Sequence, residues 1–163
     1  MVRLLFVCMG NICRSPTAEA VMRGLVVREG LEDQVEIDSA GTGGWHVGHP
    51  PDRRSTAAAK ARGIVMEGAA RQVTAADFDT YDLLLAADDD NVGGLRALAP
   101  DAGAAARIHL LREYDPAAVA AGDLAIPDPY YGGPDGFEHV IDLIDAACRG
   151  LLETLRADGL VTS

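Results

Sequence analysis

Four short apolar runs, "RLLFV" at 3–7, "VEIDS" at 35–39, "YDLLLAA" at 81–87 and "RIHLL" at 107–111, alternate with stretches of helical spacing at 17–29, 53–62, 91–99 and 136–157. Strand and helix taking turns in this way restrict a chain to βαβ units, in which parallel strands are joined by helices that cover the sheet. "RLLFV" and "DLLLAA" are apolar throughout, as interior strands covered on both faces must be. The expected fold is α/β, a four-stranded parallel sheet in one three-layer domain over residues 1–163, with its core within about 1–157. Ile141, Ile144, Cys148, Leu151 and Leu155 fall on one stripe of the last helix, for which Asp135 is the expected N-cap. On that stripe Cys148 reads as a buried small hydrophobe without chemistry.

The 163 residues carry a formal charge of −11, which repels nucleic acid and anionic membrane surfaces. No run reaches the 18 or so apolar residues of a membrane span, and the apolar start is about five residues long where a secretory signal has roughly 7–15. Three cysteines, an odd number, argue against a disulfide framework and for a reducing compartment, so the cytoplasm is expected; the expected oligomeric state is a monomer. "LAPDAGAAAR" reads as a helix end and a loop. "GTGGWHVGHPPDRR", rich in glycine and proline, reads as a long functional loop after the second strand.

The first strand runs into "VCMGNICRSPTAEAVM". Ser15 as N-cap, Pro16 at the first helical position and Glu19 in the first turn signal a helix start, which leaves 8–14 as the strand-to-helix loop. Such a loop gathers backbone N–H groups and the positive end of a helix dipole around one hollow, an anion site. Gly10 lets the backbone curl, and Arg14 adds a planar fork for two phosphoryl oxygens. Positive surroundings favour a thiolate, so Cys8 at the floor is the expected nucleophile. Metal ions are not needed where amides and a guanidinium balance the charge. The G-K-[ST] ending of a Walker loop is missing, and two cysteines do not make a zinc site; no metal or cofactor is expected. A leaving alcohol needs a proton, and Asp128, set between two prolines in "IPDPYYGGPDG", is the candidate acid.

The string "CMGNICRSPTAE" resembles the signature of the low-molecular-weight protein tyrosine phosphatases. The likeness continues in order through "DSAGTGGWHVGHPPDRR", "ARQVTAADFDTYDLLLA", "REYDP" and "DPYYG". The resemblance implies hydrolysis of phosphotyrosine in proteins through a phosphocysteine on Cys8, releasing inorganic phosphate. It implies Arg14 as phosphate clamp and Asp128 as the acid that later activates water. Met9, Gly10, Asn11, Ile12, Cys13 and Ser15 would form the phosphate loop, shaped by Asn11, Ser15 and Ser39, with Ser15 also donating to the leaving sulfur. Cys13 would be the redox partner of Cys8, and Trp45, Tyr130 and Tyr131 the walls around an aromatic ring. Gly68 stands where relatives commonly carry His, and Ala87 where Met is usual.

Other readings compete. Arsenate reductases share this loop but pass oxidation to later cysteines, and none lies between Cys13 and Cys148. A branch acting on phosphoarginine carries Thr where this chain has Ile12 and a shorter acid loop. The D-x-D-x-V pattern of "LLLAADDDNV" suggests a magnesium-dependent aspartyl phosphatase, but the lone Lys60 lies upstream of it, so Asp88 to Asp90 read as helix-start acids. A module that binds phosphoproteins without turnover is the remaining class.

Overall fold

The computed structural model describes residues 1–129 and 134–162, the side chain of Pro134 excepted. Its elements in chain order are β1 (Val2–Cys8), α1 (Arg14–Arg28), β2 (Val35–Gly41), α2 (Arg53–Lys60), α3 (Asp77–Thr80), β3 (Leu83–Ala86), α4 (Asp89–Leu98), α5 (Ala102–Ala105) and β4 (Ile108–Leu110). A 3-10 turn (Leu111–Tyr114), α6 (Pro116–Ala121) and α7 (Pro134–Ala157) follow. The strands form one parallel sheet in the order β2-β1-β3-β4. All four expected strands are present.

Alternation along β1 divides the core. Leu4, Phe6 and Cys8 face a layer made by α1 and α7, with Met22, Leu25, Ile144, Cys148 and Leu151. Leu5 and Val7 face the opposite layer with Phe78, Val92, Leu95 and Ala104. Helices therefore cover both sides, which is why the interior strands carry no polar alternation. The chain leaves β1 to pair first with β2 on one edge and later with β3 on the other. The carboxyl end of β1, where Cys8 lies, is thus a topological switch point, the place where an open α/β sheet holds its ligands.

Three local expectations are corrected. Helix α1 starts at Arg14 with Cys13 as N-cap and no side-chain cap bond, because the Ser15 hydroxyl is turned inward to other partners. Helix α7 starts at Pro134, so Asp135 is a first-turn acid. In "LAPDAGAAAR", Asp101 accepts from the Ala104 amide and caps the short α5, a helix too brief for its periodicity to show. The Cys148 stripe is as expected: Ile141, Ile144, Cys148, Leu151 and Leu155 are all buried, and Cys148 is sealed between α7 and α1.

Candidate active site

Residues 9–13 turn from β1 into α1, and four carbonyls between Cys8 and Cys13 are held by neighbouring backbone amides. Cys8 O accepts from the Thr42 amide (2.9 Å), Met9 O from Gly43 (2.9 Å), Ile12 O from Asp52 (2.7 Å) and Cys13 O from Thr17 (3.1 Å). In a trans peptide the next N–H points the opposite way, which turns the amides of Met9, Gly10, Cys13 and Arg14 away from those partners, and all four residues line the pocket. Asn11 is the single non-glycine residue with positive φ among the described residues, at 56°. That left-handed step curls the turn into an amide nest suited to an anion. Gly41 lets the loop approach β2: a Cβ there would lie 2.8 Å from Met9 O.

Beneath the loop runs a buried polar chain. Ser15 Oγ lies 3.0 Å from Cys8 Sγ, and Asn11 Nδ2 donates to Ser15 Oγ (2.8 Å) and Ser39 Oγ (3.0 Å). The Arg71 amide donates to Asn11 Oδ1 (3.0 Å), and Ser39 Oγ donates to Glu19 Oε1 (2.6 Å). The Arg71 guanidinium itself grips both oxygens of Asp77 and reaches Asp38, fixing the 70–73 segment alongside Gly41. Around Gly68, at φ +97°, the space is open.

Arg14, first residue of α1 and 4 % exposed, donates from Nη1 to Asp88 Oδ2 (2.7 Å) and to Ile126 O (2.9 Å). With that corner held, the rest of the guanidinium is available to a ligand. Asp128 Oδ2 is 3.8 Å from Arg14 Nη2, an ionic contact beyond hydrogen-bond length.

Of the residues expected from the sequence, Cys8, Met9, Gly10, Ile12, Cys13, Arg14 and Asp128 line one pocket. Asn11, Ser15 and Ser39 are buried under it. Trp45 is 72 % exposed and folds its ring over Gly43 outside the lining, where His46 stands in its place. Tyr130 and Tyr131 lie outside the described residues. Burial pushes the Cys13 thiol up to about 12, partly offset by its hydrogen bond with Ser55 and reinforced by Asp52, Cys8 and Asp128. Asp88 caps α4 through a capping box with Asn91, as its place before a helix suggests. Its grip on Arg14 had no signal in the sequence, and neither had the parts of Glu19 and His46.

The low molecular weight phosphotyrosine protein phosphatase family model matches residues 3–161. A low molecular weight protein-tyrosine-phosphatase of Streptomyces coelicolor is 52% identical over 94% of this chain and 93% of its own. The human low molecular weight phosphotyrosine protein phosphatase is 43% identical over 92% of this chain and 93% of its own. The crystal structure of a protein tyrosine phosphatase from Entamoeba histolytica, with Hepes in its active site, superimposes with a TM-score of 0.91 at 36% identity, covering 98% of this chain and 99% of that one. A sulfur at the switch point, an amide nest, a tethered arginine and this breadth of likeness agree: the chain belongs to the low molecular weight phosphotyrosine protein phosphatase family.

Proposed function

We propose that this protein hydrolyses phosphotyrosine in proteins by way of a phosphocysteine on Cys8. The observation that carries the reading is that Cys8, Arg14 and Asp128 line the same pocket as the amide-rich turn 9–13. The phosphoryl oxygens take the loop amides and the Nη2 side of Arg14, and the Cys8 sulfur attacks phosphorus in line with the ester oxygen. Asp128 gives its proton to the departing phenol oxygen. Its carboxylate then takes a proton from water as the water oxygen bonds phosphorus, the P–S bond breaks, and phosphate leaves.

The apolar Met9 and Ile12, which line the hollow, suit an aromatic ring. Cys13 is the thiol that takes an oxidised Cys8 into a reversible disulfide, with loss of water from the sulfenic acid. Cys148, fully buried between helices, offers no thiol relay of the arsenate reductase kind. Residues 1–163 act as one domain and as a cytoplasmic monomer, and the charge of −11 disfavours a nucleic acid partner.

The test is turnover of p-nitrophenyl phosphate in EDTA. Cys8→Ser is expected to abolish it while retaining vanadate binding, and Asp128→Ala to slow it by about 10²–10⁴-fold, the usual worth of a general acid. An Asp128→Ala enzyme as fast as wild type removes Asp128 from the reaction, and turnover by Cys8→Ser or its loss in EDTA removes the phosphocysteine route.

A further inference from the structure

Glu19 lies one helical turn beyond Ser15 on α1, and both side chains reach toward the end of β2. The direction of each hydrogen bond in the chain that links them can be worked out. A backbone N–H can only donate, so the Arg71 amide obliges Asn11 to present Oδ1 to it and Nδ2 to the two serines. Each serine oxygen then accepts from Asn11 and has one proton left to give. Ser39 donates its hydrogen bond to Glu19 Oε1 at 2.6 Å. Ser15 has two acceptors in reach, Cys8 Sγ at 3.0 Å and Ala40 O at 3.4 Å, and the sulfur is the nearer. The second Glu19 oxygen is held by Arg23 Nη1 at 2.8 Å, so the carboxylate, 14% exposed, is both anchored and partly neutralised.

We propose that Glu19 is a positioning residue for the second half-reaction. By accepting the Ser39 hydrogen bond it makes Ser39 a stronger acceptor for Asn11, and by tying α1 to β2 it fixes the rotation that aims the Ser15 hydroxyl at Cys8. That hydroxyl matters most when water displaces the sulfur: the P–S bond breaks, its electron pair stays on Cys8 Sγ, and Ser15 donates a hydrogen bond to the charge that develops there. The proton of the attacking water goes to Asp128. The inference rests on the phosphocysteine reading above.

Rapid mixing with p-nitrophenyl phosphate separates the two steps, because p-nitrophenol leaves on phosphorylation and steady turnover reports hydrolysis of the phosphoenzyme. Glu19→Ala is expected to give a burst of about one p-nitrophenol per site, then a steady rate about tenfold below wild type, with Cys8 found phosphorylated by mass spectrometry after acid quench. Glu19→Gln, whose amide oxygen can still accept from Ser39, is expected to restore the steady rate. Equal slowing of both steps by Glu19→Ala, no slowing, or a Glu19→Gln enzyme as slow as Glu19→Ala overturns the proposal. If Glu19→Ala does not fold, Ser39→Ala must show the burst, and its absence counts equally against it. A wild type that releases no p-nitrophenol defeats the phosphocysteine reading itself, a different result from a wild type that turns over and a Glu19→Ala enzyme that matches it.

Discussion

Arg14 Nη1 donates a 2.7 Å hydrogen bond to Asp88 Oδ2, while Oδ1 of the same carboxylate accepts from the Asn91 amide at 2.9 Å and caps α4. One side chain at the end of β3 therefore starts a helix and orients the guanidinium at the end of β1. The arginine is almost fully buried and the aspartate about a quarter exposed, so the pair is neither a screened surface bridge nor a dry one.

Asp88→Asn keeps a cap acceptor and removes the charge. Its expected effect is a rise in KM and a fall in kcat/KM of about tenfold, the order of one charge-assisted hydrogen bond, with little change in melting temperature. Asp88→Ala also loses the cap and is expected to cost about 1 kcal/mol of stability. Steady-state kinetics beside thermal melts distinguish the two; an Asp88→Asn enzyme with unaltered KM would separate Asp88 from phosphate binding.

Legibility followed the range of the interactions. The continuous apolar run of β1 and the 3.6-residue stripe of α7 are local patterns set by burial, and both elements lie where they were expected. The Cys8-to-Arg14 turn was legible because its chemistry is contiguous in the chain. Ser15-Pro16 carried a helix-start signature, yet a serine that satisfies Asn11 beneath the loop is unavailable as a cap, and the helix begins two residues earlier. The bonds from Arg14 to Asp88 and from Arg71 to Asn11 span 74 and 60 residues. Nothing local marks such pairs, since each member already has a plausible local role.

The two cysteines at the pocket should differ sharply in reactivity. Iodoacetamide at neutral pH is expected to modify Cys8, with vanadate protecting it, and to leave Cys13 untouched in the folded protein. The buried Cys13 thiol is pushed up to about 12 from an ordinary 9.0, with Ser55 only partly offsetting burial. An acid whose folded value is raised keeps its full stabilising contribution below the unfolded value and loses it as pH climbs through the folded one. Tyr114, also raised to about 12 by burial from an ordinary 10.0, acts in the same sense. Urea midpoints should therefore decline between about pH 9 and 12, and Cys13→Ala should flatten part of that slope. Mass mapping that finds Cys13 alkylated as fast as Cys8 would contradict the first expectation, and a slope unchanged in Cys13→Ala the second.

Two glycines allow placement of the loop and stability of the fold to be tested apart. A Cβ on Gly150 would lie 1.8 Å from Tyr114 O, where α7 passes the 3-10 turn, and the close neighbours are backbone atoms that cannot rotate away. Gly150→Ala should therefore force the helix off the turn and destabilise the fold by about 1–3 kcal/mol, the range for overpacking, with the surviving folded fraction fully active. At Gly41 a Cβ would meet Met9 O at 2.8 Å, Gly43 O at 3.1 Å and Asn11 Cβ at 3.2 Å. These atoms belong to the phosphate loop or face it, so Gly41→Ala should push on the amide nest. Its expected signature is weaker vanadate inhibition and lower kcat/KM in the folded enzyme, beyond whatever stability the backbone contacts cost. Melting curves and vanadate titrations on both variants decide the matter, and a Gly41→Ala enzyme that binds vanadate as wild type does would mean that the nest tolerates displacement at its β2 edge.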